Sequence, residues 1–212
     1  MYENVFIGKN AQNQPKRILI LGESHYEESG KIDGTASVVQ ALAVEGKDTE
    51  KGTNFYKNIM KTFGYEITEE SRKDFWSKVY CGNYIDELCG KGENNTASEK
   101  VKNKENGNRI KYNDSLFSFI NENEIDIVLC FSRLVYNNLP GSTKGESEKR
   151  LIEHENLYLK EFTYQPNCSH KKCNVQLNNK LTVYGLRHPS SHFSPDFYYN
   201  NYFKNHRNEI GL

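Results

Sequence analysis

Arg17-Ile-Leu-Ile-Leu-Gly22 is the stretch of sequence that decides the fold. Four consecutive large apolar residues followed by glycine are typical of a strand that is buried on both faces, as in a parallel sheet. Similar runs at residues 78–85, 126–131 and 181–185 predict three further buried strands. An alternating stretch at residues 157–164 predicts an edge strand.

Helical patterns lie between these strands. Apolar spacing predicts helices over residues 53–63, 113–121 and 134–139, the second with Asn113 or Asp114 as its cap. Ser194-Pro195 predicts the start of the last helix. Strands that alternate with helices predict an α/β fold, in this case a three-layer α/β/α domain with a central, mostly parallel sheet of four or five strands.

The length and composition predict one folded domain over residues 1–212. Only 36% of the residues are apolar, but 14 Tyr and 11 Phe bring a large buried area per side chain. Residues 90–111 are rich in Lys, Asn, Glu and Gly and predict a mobile loop-like insertion. Without a membrane-length apolar run or a signal peptide, we expect a cytoplasmic protein with no membrane contact.

The charge is balanced, with 28 basic and 28 acidic residues, which excludes a globally basic nucleic-acid binder. Basic residues nevertheless outnumber acidic ones in the C-terminal quarter, where four of the six His also lie. A polyanion would therefore meet this part of the chain first.

The five cysteines are an odd number, which argues against a disulfide framework. Cys81 and Cys130 lie in apolar runs and are expected in the core. Cys168, His170 and Cys173 offer at most three metal ligands, so a polar loop is the favoured interpretation and no metal or redox cofactor is expected.

Polar residues follow each predicted buried strand. Ligands of open parallel sheets bind outside the carboxyl ends of the strands, so these residues predict a polar site at one edge of the sheet. No glycine-rich nucleotide-phosphate motif is present. The segments concerned are Gly22-Glu-Ser-His-Tyr26, Gly82-Asn-Tyr84, Ser132-Arg133 and Arg187-His-Pro-Ser-Ser-His192.

Two of these segments resemble signature motifs of the uracil-DNA glycosylase superfamily. They are Gly22-Glu23-Ser24-His25-Tyr26 after the first buried strand and His188-Pro189-Ser190-Ser191 after a late one. Asn83 stands where that superfamily has a base-reading Asn. The resemblance spans roughly residues 17–205. It implies a DNA repair hydrolase, monomeric and without cofactor, that cleaves the N-glycosidic bond of uracil or another modified base in double- or single-stranded DNA.

The resemblance also implies roles for individual residues. Glu23 and Ser24 would act on the attacking water, and His188 would stabilise the departing base. The best-known branch has an acid where Ser24 stands, so Glu23 would take over water activation. Further roles are base-pocket residues Gly22, His25, Tyr26 and Asn83, phosphate-binding Ser190 and Ser191, DNA-contacting Arg133 and Arg187, and a wedge into the base stack from Phe193 or His192.

Two alternatives stay open at this point. The residues also resemble those of SGNH hydrolases, with Ser24 as nucleophile, Asn83 as oxyanion donor and His188 as base, although Gly185 stands where that family has its orienting Asp. The third interpretation is a non-catalytic nucleic-acid-binding module of the same fold, favoured by the missing acid at Ser24.

Overall fold

The computed structural model describes residues 4–26, 34–47, 53–89, 96–102, 108–141, 148–154, 157–189 and 193–212. The described residues form seven strands in one mixed sheet. These are β1 (Phe6–Ile7), β2 (Ile18–Tyr26), β3 (Tyr80–Cys89), β4 (Ile127–Cys130), β5 (Lys149–His154), β6 (Leu157–Tyr164) and β7 (Leu181–Gly185).

The four predicted buried strands form the centre of this sheet. The order is β1-β3-β2-β4-β7-β6-β5, and the central strands β3, β2, β4 and β7 pair in parallel. The three outer strands pair antiparallel. All four residues of β4 are buried, as expected for a strand covered on both faces.

Two expectations about the strands are wrong. The sheet has seven strands instead of four or five. The sequence does not indicate β1 and β5, because β1 is only two residues long and β5 carries charged residues, so neither has the apolar run of a buried strand. Residues 157–164 do not form an edge strand, because β5 pairs with the outer side of β6.

The described helices are α1 to α8. They are α1 (Gly34–Val38), which continues as a π-helical segment (Val39–Val44), α2 (Thr53–Thr62), α3 (Glu69–Ser77), α4 (Ala97–Lys102), α5 (Asn108–Glu122), α6 (Arg133–Asn138), α7 (Pro195–Tyr198), which continues through a π-helical segment (Tyr199–Phe203), and α8 (Lys204–Ile210). Helices at three of the predicted places are thereby confirmed as α2, α6 and α7, and Ser194 caps α7 by accepting the Phe197 N–H at 3.4 Å.

The second predicted helix starts earlier than its pattern indicated. Asn113 and Asp114 lie inside α5 rather than at its cap. Both hold the loop that precedes β7: Asn113 Nδ2 donates to the Lys172 carbonyl at 2.8 Å, and Asp114 accepts the Asn174 N–H at 2.6 Å. Tertiary hydrogen bonds therefore account for polar residues that look like a cap in the sequence.

Residues 90–111 are not one continuous loop. Ala97–Lys102 is helical, and α5 already begins at Asn108. Ala97 and Val101 lie four residues apart and are both buried, which gives α4 an apolar face too short to stand out in so polar a segment. Glu87 of β3 ties both helices to the sheet through Lys100 (3.4 Å) and Lys111 (2.7 Å).

Alternate residues of β2 divide between two buried apolar clusters. Leu19 and Leu21 belong to the cluster that includes α5 and α6, whereas Ile18 and Ile20 belong to the cluster that includes α2 and α3. This follows from the period-2 alternation of side chains along a strand. Cys81 and Cys130 are buried free thiols in the core, as predicted. No described helix has the length and apolar character needed to cross a bilayer.

Candidate functional site

The strand order of the sheet has a switch point between β2 and β4. From β2 the chain moves to β3 on one side, then crosses to β4 on the other side. Such a switch point leaves a crevice at the carboxyl ends of the two strands, where ligands of open α/β sheets bind. The residues at the ends of β2 and β4 therefore form the candidate site.

The first motif lies on a strand rather than on a loop after it. β4 stops opposite Leu21, but β2 and β3 continue together to Tyr26 and Cys89, with a register shift after Ser24. The segment Gly22–Tyr26 was expected to follow the strand, and that expectation is wrong. Pairing with β3 extends β2 beyond its apolar run and places Glu23 and Ser24 beside the crevice.

Glu23 is held from the far side of the crevice. Ser132, directly after β4, donates its hydroxyl proton to Glu23 Oε2 at 2.8 Å. Ser132 is only 1% exposed and caps α6 by accepting the Val135 N–H at 3.2 Å. From the sequence, Ser132 is predicted only as a polar residue at a strand end. Its cap pattern is visible in the sequence, but its contact with Glu23 is not.

Asn83 lies across the backbone of β2. It pairs with Gly22 in the sheet register, and a Cβ on Gly22 would come within 2.4 Å of Asn83 Oδ1. Asn83 Nδ2 donates to Thr35 Oγ1 of α1 at 3.2 Å, and both residues are buried. Glycine at position 22 is therefore needed for the Asn83 amide to lie where it does.

His188 stands three residues after β7, in a segment held by α2. Its ring packs against Phe55 with the centroids 5.2 Å apart, and Asn58 Nδ2 donates to the Pro189 carbonyl at 2.9 Å. Burial lowers the pKa of His188, and the nearby negative charge of Glu23 partly opposes this shift. The parallel strands β2, β4 and β7 bring the first and second motifs to the same edge of the sheet, and the lowered pKa keeps the His188 imidazole neutral at pH 7.

Ser24 is not arranged as a nucleophile. Its Oγ is buried and has no hydrogen-bond partner among the described residues, whereas a catalytic serine needs a base within reach. A side chain in place of Gly185 would also collide with the Tyr136 ring, so nothing can orient His188 from that position. Both observations argue against the esterase interpretation.

The predicted DNA-contacting residues differ in their surroundings. Arg133 is exposed at the start of α6, with its guanidinium 6.0 Å from the Tyr158 ring centroid. Arg187 is half-buried, and its Nη1 has no partner within the described part of the chain. Phe193 is partly buried and packs against Phe131 (6.2 Å) and Tyr198 (5.0 Å), and its wedge role stays a prediction.

Five of the predicted site residues have no described side chain. Ser190, Ser191 and His192 lie outside the described residues, and only the backbone is described for His25 and Tyr26. Three other residues at the site gave no signal in the sequence, because only the packing of α1 and α2 on the sheet brings them there. They are Thr35, Phe55 and Asn58.

The cysteine cluster forms a structured loop. His170 and Cys173 are joined by an isolated antiparallel bridge, and burial raises the pKa of the Cys173 thiol to about 12. A thiolate is the form of cysteine that binds metals, so this pKa disfavours metal binding at neutral pH. Within the described ranges, no three or more His, Cys, Asp or Glu side chains are grouped as metal ligands.

No family model and no curated protein sequence matches this chain. The chemistry of the site therefore rests on its own residues. A buried amide, a fixed carboxylate and a neutral imidazole next to an aromatic ring suit a neutral, planar, hydrogen-bonding ligand better than a metal ion or a free phosphate.

Two partly buried histidines, one in the site and one in the cysteine loop, predict how stability depends on pH. Burial lowers the pKa of both His170 and His188 below the ordinary value of 6.5, so the unfolded chain binds more protons in this window. These two groups leave the free energy of unfolding unchanged above about pH 6.5. The free energy of unfolding then decreases as the pH falls from 6.5 toward their lowered pKa values. Urea unfolding between pH 5 and 8 should show this decrease.

The His170→Gln/His188→Gln double variant should lose part of this slope, because its glutamines do not titrate. His206→Gln is the control, since its ring stacks on Tyr202 away from the site. An unchanged slope in the double variant would contradict the assignment of the slope to these two groups.

Proposed function

We propose that this protein hydrolyses the N-glycosidic bond of a base in DNA. The observation that carries the proposal is the placement of Glu23 on β2 and of His188 after β7, at the carboxyl ends of parallel strands of one sheet, where the charge of Glu23 also acts on the imidazole. The proposal includes a monomeric cytoplasmic enzyme with the three-layer α/β/α arrangement of the uracil-DNA glycosylase superfamily. The two apolar clusters that share β2 support that arrangement.

Asn83 would read the base. An enzyme that acts on a base takes it out of the stack and recognises its edge by hydrogen bonds. An amide offers two N–H donors and an acceptor oxygen, and Thr35 takes one donor of Asn83. A group with both a donor and an acceptor suits a pyrimidine edge that carries a carbonyl next to an N–H. Phe55, beside His188, adds an aromatic surface to this side of the site.

Glu23 and His188 would divide the chemistry. When the bond between the sugar and the base breaks, its electron pair leaves with the base and places negative charge on a base oxygen. Neutral His188 can donate an N–H to that oxygen, which stabilises the transition state. Water forms the new bond to the sugar carbon, and the Glu23 carboxylate takes its proton. Arg133 and Arg187 would contact DNA phosphates, and Ser190 and Ser191 would also bind phosphate.

A strand-cleavage assay tests the proposal directly. Single- and double-stranded oligonucleotides would carry uracil, a thymine mismatch, hypoxanthine, hydroxymethylcytosine or its glucosylated form, and alkali would cleave the resulting abasic sites. Release of one base supports the proposal. Salt-sensitive DNA binding without release would favour a non-catalytic binding module, and the absence of both would overturn a nucleic-acid function.

Asn83→Asp is expected to reduce cleavage of the cognate base about 100-fold, because it replaces a donor by an acceptor at the recognised edge. The fold should survive, since the Thr35 hydroxyl can donate to the new carboxylate. Asn201→Asp is the matched control, because Asn201 is exposed on the C-terminal helical segment. Equal rates for the wild type and Asn83→Asp would remove Asn83 from base recognition.

A further inference from the structure

Ser132 makes two hydrogen bonds with one buried hydroxyl group. It lies between β4 and α6 in extended backbone conformation, with φ −158° and ψ 124°. Its Oγ accepts the Val135 N–H at 3.2 Å and lies 2.8 Å from Glu23 Oε2. The same oxygen atom therefore serves both the helix and the crevice.

The chemistry of the groups fixes the direction of both bonds. A backbone N–H can only donate, so the Ser132 oxygen receives the bond from Val135 and keeps its own proton. An ionised carboxylate only accepts, so that proton goes to Glu23. Hydrogen bonds to a charged acceptor are short and strong, and the Ser132 donor of this one is buried. Glu23 Oε2 is therefore tied to the end of β4.

We propose that Ser132 is the positioning residue for Glu23. This inference rests on the proposed function, in which the Glu23 carboxylate takes a proton from the attacking water. A general base must lie within hydrogen-bond reach of that water, and a displacement of about 1 Å can reduce the rate about 100-fold. Ser132 supplies this constraint across the switch point, from a strand that does not carry the first motif.

Three substitutions separate this role from helix capping. Ser132→Thr keeps both the cap and the donor. Ser132→Gly keeps most of the capping, because glycine is tolerated at N-caps nearly as well as serine, but it removes the donor. Ser132→Ala removes both. The free energy of unfolding should therefore rank Gly above Ala, whereas a positioning role predicts equal loss of activity in both.

We expect Ser132→Ala and Ser132→Gly to lower kcat for base release about 10- to 100-fold with little change in KM, and Ser132→Thr to restore it to within about threefold. A purely structural role would not give this split between kcat and KM. Wild-type kcat in Ser132→Gly would overturn the inference, because the cap alone would then account for the residue.

A second measurement does not depend on cleavage. In a double-mutant cycle of urea unfolding, Ser132→Ala and Glu23→Ala should be non-additive, because each removes the same hydrogen bond. Additive effects would overturn the positioning inference even for an active enzyme. A wild-type protein that cleaves no oligonucleotide while the cycle is non-additive would overturn the proposed function and leave the Ser132–Glu23 contact established.

Discussion

His188→Ala is expected to slow base release about 100- to 1,000-fold, equivalent to about 2.7–4 kcal/mol of lost transition-state stabilisation. The charge on the departing base develops only as the bond breaks, so an N–H aimed at it acts mainly on kcat. The environment of His188 is suited to this role, because burial lowers its pKa and keeps the ring neutral at pH 7. Single-turnover cleavage of the oligonucleotide found in the substrate screen is the measurement.

Two further variants make this result specific. His188→Gln keeps an N–H donor and should recover part of the rate, whereas His206→Ala removes a histidine that stacks on Tyr202 and should leave the rate unchanged. DNA binding should change little in His188→Ala, and its unfolding midpoint should be measured because the ring packs on Phe55. A folded His188→Ala protein with the wild-type rate would refute the role of His188.

Gly185→Ala is expected to destabilise the protein by about 3 kcal/mol. A Cβ at this position would lie 2.4 Å from Cδ2 and 2.7 Å from Cε2 of the Tyr136 ring. Tyr136 is fully buried, and its hydroxyl donates to Glu148 at 3.1 Å, so the ring has little freedom to move away. Overpacking of this kind typically costs about 1–3 kcal/mol or more. Urea unfolding of the variant would measure the loss.

The collision can be tested separately from any intrinsic effect of alanine. In a Tyr136→Leu background the smaller side chain leaves room for the new Cβ, and Gly185→Ala should then cost much less. Tyr136→Phe is the matched control, because it removes the hydroxyl but keeps the ring. Equal costs of Gly185→Ala in both backgrounds would show that the ring contact is not the cause.

The same close approach connects stability to the site. Tyr136 belongs to α6, and α6 begins directly after Ser132. A Cβ on Gly185 would push α6 away from β7 and with it the hydroxyl group that holds Glu23. We therefore expect residual folded Gly185→Ala protein to lose activity more than its folded fraction alone would explain.

The central sheet could be predicted because its signal is local. Runs such as Ile18–Leu21 are apolar at every position, as a strand that is buried on both faces requires. The outer strands carry no comparable signal: β5 contains charged residues and pairs only with β6. Pairing of an edge strand depends on the neighbouring strand, and the composition of a short segment does not reveal that neighbour.

The candidate site likewise contains residues that could be predicted from the sequence and contacts that could not. Gly22, Glu23, Asn83 and His188 were predicted because each directly follows or ends a buried run, and parallel strands bring such residues to one edge of the sheet. The wedge role of Phe193 was predicted from its position after the second motif alone. Its packing against Phe131 and Tyr198 could not be predicted, because those contacts cross between separate elements.

By itself the sequence determined the α/β class, the four parallel strands and the residue types at their carboxyl ends, since apolar runs and strand-end polar residues are local patterns. Only the tertiary structure decided that Ser132 holds Glu23, that Asn83 lies over Gly22, and that His188 is neutral beside Phe55. Hydrogen-bond partners at the site are far apart along the chain, by 109 positions for Ser132 and Glu23 and by 131 for Asn58 and Pro189, and they meet only once the sheet has formed.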